Sequence, residues 1–242
     1  CFGKHRVLLH LFSGRRRQGD VQFFLDNMEP PTGYILHVVS MDIVVDDQWG
    51  DATNEQTRDY WLSAAHAGYI VGFLAGPPCE TWSVARGRAL HDPQGLHKRA
   101  PRILRTAEFL WGLPSLALKE LNQVMIGNFL LTFSLLMGCV MVKTGGLGVI
   151  EHPAEPTEEE LAAIWRLPLV QALLQAPGVC RHRVAQGLYG APSAKPTDLL
   201  VINLSTLPRA FSEWRLRQDT PKGASIGLTA DGVWKTGILK EY

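Results

Sequence analysis

The 242-residue sequence predicts an α/β fold: a mainly parallel sheet with helices on both faces. Two observations carry this. Short apolar, β-branched runs alternate with longer helical stretches, the pattern of strand–crossover–strand units. Residues with chemical potential then fall in order just past those runs, at Ser13-Gly14, Asp42, Cys79 and Glu151. Ligands of open α/β sheets bind at the carboxyl ends of the strands.

Arg6 to Phe12 (RVLLHLF) reads as the first strand, and VQFFLDNM after it as a helix. Tyr34 to Ser40 is the second strand, closed by Asp42. DATNEQTRDYWLSAAHAG is the next helix, with Asp51 or Thr53 at its start and Gly68 past its end. Tyr69 to Leu74 is the third strand, which Pro77-Pro78 must terminate because proline donates no ladder hydrogen bond. A long helical region is expected over Pro101 to Val142, broken near Gly112-Leu113-Pro114. Gly148 to Glu151 is the fourth strand. Thr157 to Glu160 has the capping-box pattern for a helix containing LAAIW. Leu199 to Leu204 is the last clear strand, and residues 205–242 read as a short irregular C-terminal segment.

Composition narrows the class. Hydrophobic content of 46% and charged content of 19% belong to a folded globular chain. A formal net charge of +1 excludes binding of nucleic acid through bulk charge alone. Cys1, Cys79, Cys139 and Cys180 are scattered without a CxxC pair, which argues against a zinc site and a disulfide framework and suits a reducing, intracellular compartment. Met125 to Val142 just reaches membrane-spanning length, but it carries Asn128, Thr132 and Ser134 and runs straight into a strand; a helix buried against the sheet is expected. The chain starts at Cys1 rather than Met and reads as a domain of a longer protein, with no signal peptide visible.

Several stretches point to chemistry. LHLFSG places a small residue and a glycine where backbone must approach a ligand, although a glycine after a strand is most often only a turn. Asp42 ends the next strand, where a carboxylate accepts hydrogen bonds from ribose hydroxyls in dinucleotide-binding folds, or else caps a helix. Gly50-Asp51 is an N-cap or a contact to a base. GPPCETWS mounts Cys79 on two prolines, a rigidity that a buried structural thiol does not need and a nucleophile does.

In this order the residues resemble the DNA cytosine-5 methyltransferases, from residue 6 to residue 204. LFSG is similar to that family's first motif, GDAT to its GDI-type motif, and GPPCETWS to its Pro-Cys signature. VIEHP lies where the family has Glu-Asn-Val, and YGAPSAKPTDLLVI where it has YGxPQxRxR. The resemblance implies a Rossmann-like methyltransferase fold and S-adenosyl-L-methionine as cofactor. It implies that Phe12, Ser13, Gly14, Asp42, Asp51, Gly76 and Pro77 bind that cofactor. Cys79 would be the nucleophile, Glu151 the acid at the cytosine ring, and Lys195 a contact to the cytosine carbonyl or to a phosphate. Ser83, Arg86 and Arg88 would meet the DNA, with the target base flipped out of the duplex. No metal, no membrane and a monomeric domain are expected, in the nucleus of a eukaryote or the cytoplasm or nucleoid of a bacterial or viral system.

Thiolate chemistry suits the assignment: a cysteine can add to carbon 6 of cytosine and leave again. Arg86, Arg88, Lys98, Arg99, Arg102 and Arg105 follow the nucleophile, against Asp92 alone, as a phosphate-binding segment or a solvated face would. A redox role is disfavoured, since Cys79 has no resolving partner nearby in sequence.

Departures from the family pattern are concrete. Arg15-Arg16-Arg17 replace glycines, His152-Pro153 replace Asn-Val, and Lys195 stands alone where an arginine pair is usual. The stretch after Leu204 leaves no room for a large target-recognition domain, and Gly223 to Gly227 only faintly echoes the closing motif. A degenerate nucleic-acid-binding module of a larger polyprotein, and the same chemistry on RNA, are the alternatives.

Overall fold

The computed structural model describes residues 5–29, 33, 35–84, 86, 101–191, 194–216 and 219. The strands are β1 His5–Leu11, β2 Ile35–Met41, β3 Ile70–Ala75, β4 Leu147–Pro153, β5 Val179–Ala185 and β6 Pro196–Ile202. They form one six-stranded sheet in the order β2-β1-β3-β4-β6-β5. β1 to β4 are mutually parallel, and β6 alone is reversed, antiparallel to both β4 and β5. The expected α/β class and mostly parallel sheet are therefore present. The helices are α1 Val21–Asp26, α2 Glu55–His66, α3 Leu118–Thr144, α4 Pro168–Leu174 and α5 Leu207–Glu213.

Alternation along the strands divides the core between the two faces. Ile150, Leu200 and Ile202 join the larger cluster, with Leu131, Phe133 and Met137 of α3 and Leu173 of α4. Val149, Leu199 and Val201 point the other way, toward Leu207 and Phe211 of α5. Each fully buried Leu, Ile or Phe contributes about 1.5–3 kcal/mol by leaving water. The crossover through α1 runs outward from β1, and the one through α2 returns past it. Right-handed crossovers in opposite directions put their helices on opposite faces. Gln22 of α1 indeed accepts from Ser40 at 2.7 Å, whereas the flanking Val39 and Met41 pack into the α2–α3 side.

The apolar segment around Met125 to Val142 is the heart of α3, laid against β3, β4, β6 and α2 as expected of a buried helix. It is long and apolar enough to cross a membrane, yet Leu131, Phe133, Leu135, Met137 and Met141 are buried in the core. Two of its polar residues have hydrogen-bond partners: Ser134 donates to the Leu130 carbonyl, and Asn128 donates to the Trp111 carbonyl.

Four local expectations fail for identifiable reasons. Residues 101–117 are not helical; Leu113 N–H turns back to the Leu104 carbonyl and Thr106 bridges to Leu161, so α3 begins only at Leu118. Thr157 opens no helix. Its hydroxyl bonds Glu158, the Glu160 carbonyl is taken by Ala107 N–H, and Arg166 gathers the carbonyls of Glu158, Glu159 and Leu161. Trp165 consequently sits in a short 3-10 turn, and α4 starts at Pro168. The cap of α2 is Asn54, whose side chain accepts from Gln56 N–H, rather than Asp51 or Thr53. The segment after Leu204 contains α5, and β5 was not expected at all. β5 is an edge strand carrying Arg181 and Arg183, the charge pattern that hides a strand from hydrophobic periodicity.

Candidate active site

Strand register sets the site. Leu11 is paired with Met41 and with Ala75, and Ala75 is paired with Ile150. The next residue in each case therefore lies in one row, in the order Asp42, Phe12, Gly76, Glu151, at the carboxyl ends of β2, β1 and β3, while β4 runs on to Pro153 along β6. Neighbouring strands are about 4.8 Å apart, so the row spans roughly 14 Å. The chain reverses its direction of travel between β1 and β3, the switch point at which such sheets open a crevice.

At the β1 end, Phe12 adopts φ +58° and Gly14 φ +68°. Left-handed backbone is free for glycine, but it costs a phenylalanine about 1–3 kcal/mol and persists only where surroundings enforce it. Here Phe12 N–H donates to the Met41 carbonyl at 2.8 Å and Gly14 N–H donates to Asp42 Oδ2 at 2.8 Å. Asp42 is 2% exposed, and its Oδ1 accepts from Val44 N–H at 3.0 Å. It thus ties the Phe12–Gly14 turn to the loop after β2. That loop closes so tightly that a Cβ at Gly50 would lie 2.1 Å from the Asp42 carbonyl oxygen, so only glycine fits. Asp51 folds back on Thr53, accepting from its N–H at 2.9 Å and its hydroxyl at 2.6 Å. Arg16, among the arginines that replace glycines, is committed to Asp20, the N-cap of α1, and holds that carboxyl below the usual carboxylate range.

Beyond β3, Gly76 is exposed and Pro77 is buried. Cys79 begins a turn closed by Trp82 N–H on the Cys79 carbonyl at 2.9 Å. Thr81 and Trp82 beneath it are buried, and both are clamped by Arg105. The Arg105 guanidinium donates to Thr81 Oγ1 at 2.9 and 3.1 Å, to Asn128 at 2.7 Å and to the carbonyls of Leu110 and Val124, and it stacks 4.1 Å over the Trp82 ring. Cys79 is thereby mounted between two prolines and a buried anchor.

Cys79, Glu151 and Lys195 come together from separate parts of the chain. Lys195 Nζ lies 3.6 Å from Glu151 Oε1, and Gln186 Nε2 donates to the same oxygen at 3.1 Å. Because β6 is reversed, it is its start, not its end, that reaches the carboxyl edge and delivers Lys195 there. Lys195 is itself left-handed at φ +34°. Burial, followed by the charge of Glu151, pushes the Cys79 thiol up to about 11, against the opposing pull of Lys195. In this state Cys79 is a protonated thiol at neutral pH.

On the opposite face of β4, His152 is 2% exposed and meets Trp82 edge-on at 6.1 Å. Both line a cleft of about 290 Å³ together with Ser83, Glu155, Arg183 and Pro196. Among the described residues, neither His152 Nε2 nor Trp82 Nε1 has a hydrogen-bond partner. Burial, then the charges of Arg105 and Lys195, lowers the His152 imidazole to about 3. The folded protein therefore holds it neutral, and its contribution is complete above the ordinary value of about 6.5 and is lost as pH falls toward about 3. Each pH unit in that window costs about 1.4 kcal/mol. Urea midpoints between pH 7 and 4 should fall more steeply for the native protein than for His152→Leu; equal slopes would contradict this.

The basic segment is only partly a surface. Arg105 is a core strut, 2% exposed, with its guanidinium lowered to about 9 by burial, and is not a surface cation. Arg86 donates to the carbonyls of Glu80 and Arg102, and Arg102 pairs with Glu120. Ser83 lines the cleft. Arg88, Lys98, Arg99, Asp92 and Gly223 to Gly227 lie outside the described residues. Gln186 and Arg105 were missed as site residues: a lone glutamine carries no pattern, and an arginine among five other cations reads as surface. No protein-family model matches the chain, and no curated protein is significantly similar to it.

Proposed function

We propose that the protein is a compact S-adenosylmethionine-dependent methyltransferase acting on carbon 5 of cytosine in DNA, with a Rossmann-like methyltransferase fold. One observation carries the reading: Cys79, on its rigid mount, shares its surroundings with Glu151 and Lys195 at the end of a row that begins with Asp42 and Phe12. Strained backbone collects at functional sites, and both Phe12 and Lys195 carry it.

The cofactor residues fit in part. Among the described residues, a Cβ at Gly14 would find nothing within 4 Å, so the turn opens on free space beside the switch point. Phe12, Ser13, Gly14, Gly76 and Pro77 would line the cofactor, whereas Asp42, being buried, acts chiefly by shaping the turn. When bound, S-adenosylmethionine supplies an electrophilic methyl group. The protein's part is to generate and direct a nucleophile. Cys79 adds to carbon 6 of a flipped cytosine, its proton passes to Glu151, and Glu151 in turn protonates ring nitrogen 3, where negative charge builds. Lys195 offers a cation to the ring carbonyl. After methylation the carbon 5 proton passes to water and Cys79 leaves as a thiolate. The thiolate takes back through Glu151 the proton held at ring nitrogen 3, so that the ring and the thiol are both restored.

A second reading has support in the same site. The thiol at about 11 and the pairing of Lys195 with Glu151 suit a nucleic-acid-binding module without chemistry. Incubation with methyl-labelled S-adenosylmethionine and DNA or RNA separates the two. The methyltransferase reading expects label in DNA with native protein and none with Cys79→Ser; label in RNA alone would change the substrate. Binding without transfer would favour the module.

A further inference from the structure

We infer that Gln186 is a positioning residue for Glu151: its amide fixes one carboxylate oxygen so that the other faces the turn bearing Cys79. The inference rests on the reading of Glu151 as the acid of the proposed transfer. Glu151 has a half-buried side chain and sits on β4 just past the last pairing with β3, where the strand alone does not choose its rotamer. Both donors, Gln186 Nε2 at 3.1 Å and Lys195 Nζ at 3.6 Å, lie on Oε1. A carboxylate only accepts, so the glutamine must present its NH₂ group. Oε2 is left beside Gly76, within 3.4 Å of where a Cβ would stand.

The two donors are unequal. Lys195 is 44% exposed, its ion pair is long, and an ammonium on a flexible stem constrains direction poorly. Gln186 is held at its backbone, with its N–H on the Lys195 carbonyl at 3.3 Å and its carbonyl accepting from Ala191 at 3.3 Å. It closes the β5–β6 hairpin, whose reversed strand brings both donors to the carboxyl edge. Direction therefore comes from the amide, and charge from the lysine.

Cys79 reports on this without any methyl transfer. Its charged neighbours are Glu151 on β4, Lys195 ahead of β6 and Glu80 on its own turn. If Gln186 holds Glu151 toward the thiol, removing the amide lets the carboxylate swing toward solvent and weakens the repulsion. Iodoacetamide alkylation of Cys79 is followed against pH by mass spectrometry in four proteins: native, Gln186→Met, Glu151→Gln and the double variant, with Gln186→Leu as the substitute if the methionine variant does not fold. The midpoint should fall by about half a pH unit on removing Gln186 in the native background and stay put in the Glu151→Gln background. A loosened hairpin would expose Cys79 in both backgrounds alike; that result, or no fall in the native background, overturns the proposal. In methyl transfer, Gln186→Met should lower kcat about tenfold with the KM for S-adenosylmethionine unchanged. If the native protein transfers no methyl group, the functional reading fails while the alkylation pattern still decides the role of Gln186.

Discussion

Replacing Glu151 by glutamine should slow methyl transfer to DNA by a factor on the order of 10²–10⁴, the usual contribution of a positioned acid. The substitution keeps shape and keeps an acceptor for Gln186 and Lys195, so the site should remain assembled. What disappears is the group that, in the proposed transfer, would carry a proton from the Cys79 thiol to the ring. Affinity for S-adenosylmethionine should hardly change, because the Phe12–Gly14 turn stands on another strand of the row. Single-turnover rates with calorimetric cofactor affinities provide the check. A loss below tenfold would remove Glu151 from the chemistry.

Asp198→Ala should cost about 3–5 kcal/mol of folding stability, as expected when a buried carboxylate is taken from its cations. Asp198 lies on β6 with no exposure, and it accepts from Arg181 Nε at 2.9 Å, from Arg183 at 2.7 and 3.0 Å and from Glu155 N–H at 3.1 Å. The lower end of the range applies, because Arg183 is 58% exposed and its share is screened by water. Burial pushes the Asp198 carboxyl up, but the arginines outweigh it and hold it below its ordinary value; Glu155, paired with Arg181 and Arg166, behaves alike. Both carboxylates stabilise the fold above the ordinary range near pH ~4, and that stability is lost as pH falls through their lowered values. Urea midpoints at pH 7 measure the deletion. A change under 1 kcal/mol would mean that the arginines find water as readily as Asp198. The same hairpin carries Gln186 and Lys195, so its loosening should also reach the site.

Four of the legible strands have apolar runs followed by a residue of distinct chemistry, and β6 was legible from its apolar run alone. Asp42, Phe12 and Gly76 are adjacent in the row because each is the first residue past its strand, and strand ends can be read from sequence; Glu151 completes the row from within β4, which runs on to Pro153 paired with β6. β5 could not be read, since Arg181 and Arg183 are there to meet Asp198, a partner supplied by another strand. Residues 101–117 and 157–163 mislead for a related reason. Arg105 and Arg166 draw local carbonyls out of helical pairing, and side-chain competition of that kind leaves no periodic trace. Gln186 needs the reversed direction of β6 to matter, and strand direction is a property of the assembled sheet.

Attack of Cys79 on cytosine can be caught on a denaturing gel with labelled DNA containing 5-fluorocytosine and S-adenosylmethionine present. Fluorine cannot leave as a proton does, so elimination stalls and the thioether persists. A shifted band should appear for the native protein, for Cys139→Ala and for Cys180→Ala, and none for Cys79→Ala. A folded, cofactor-binding native protein that shifts neither duplex nor single strand, or a band that survives Cys79→Ala, would contradict it.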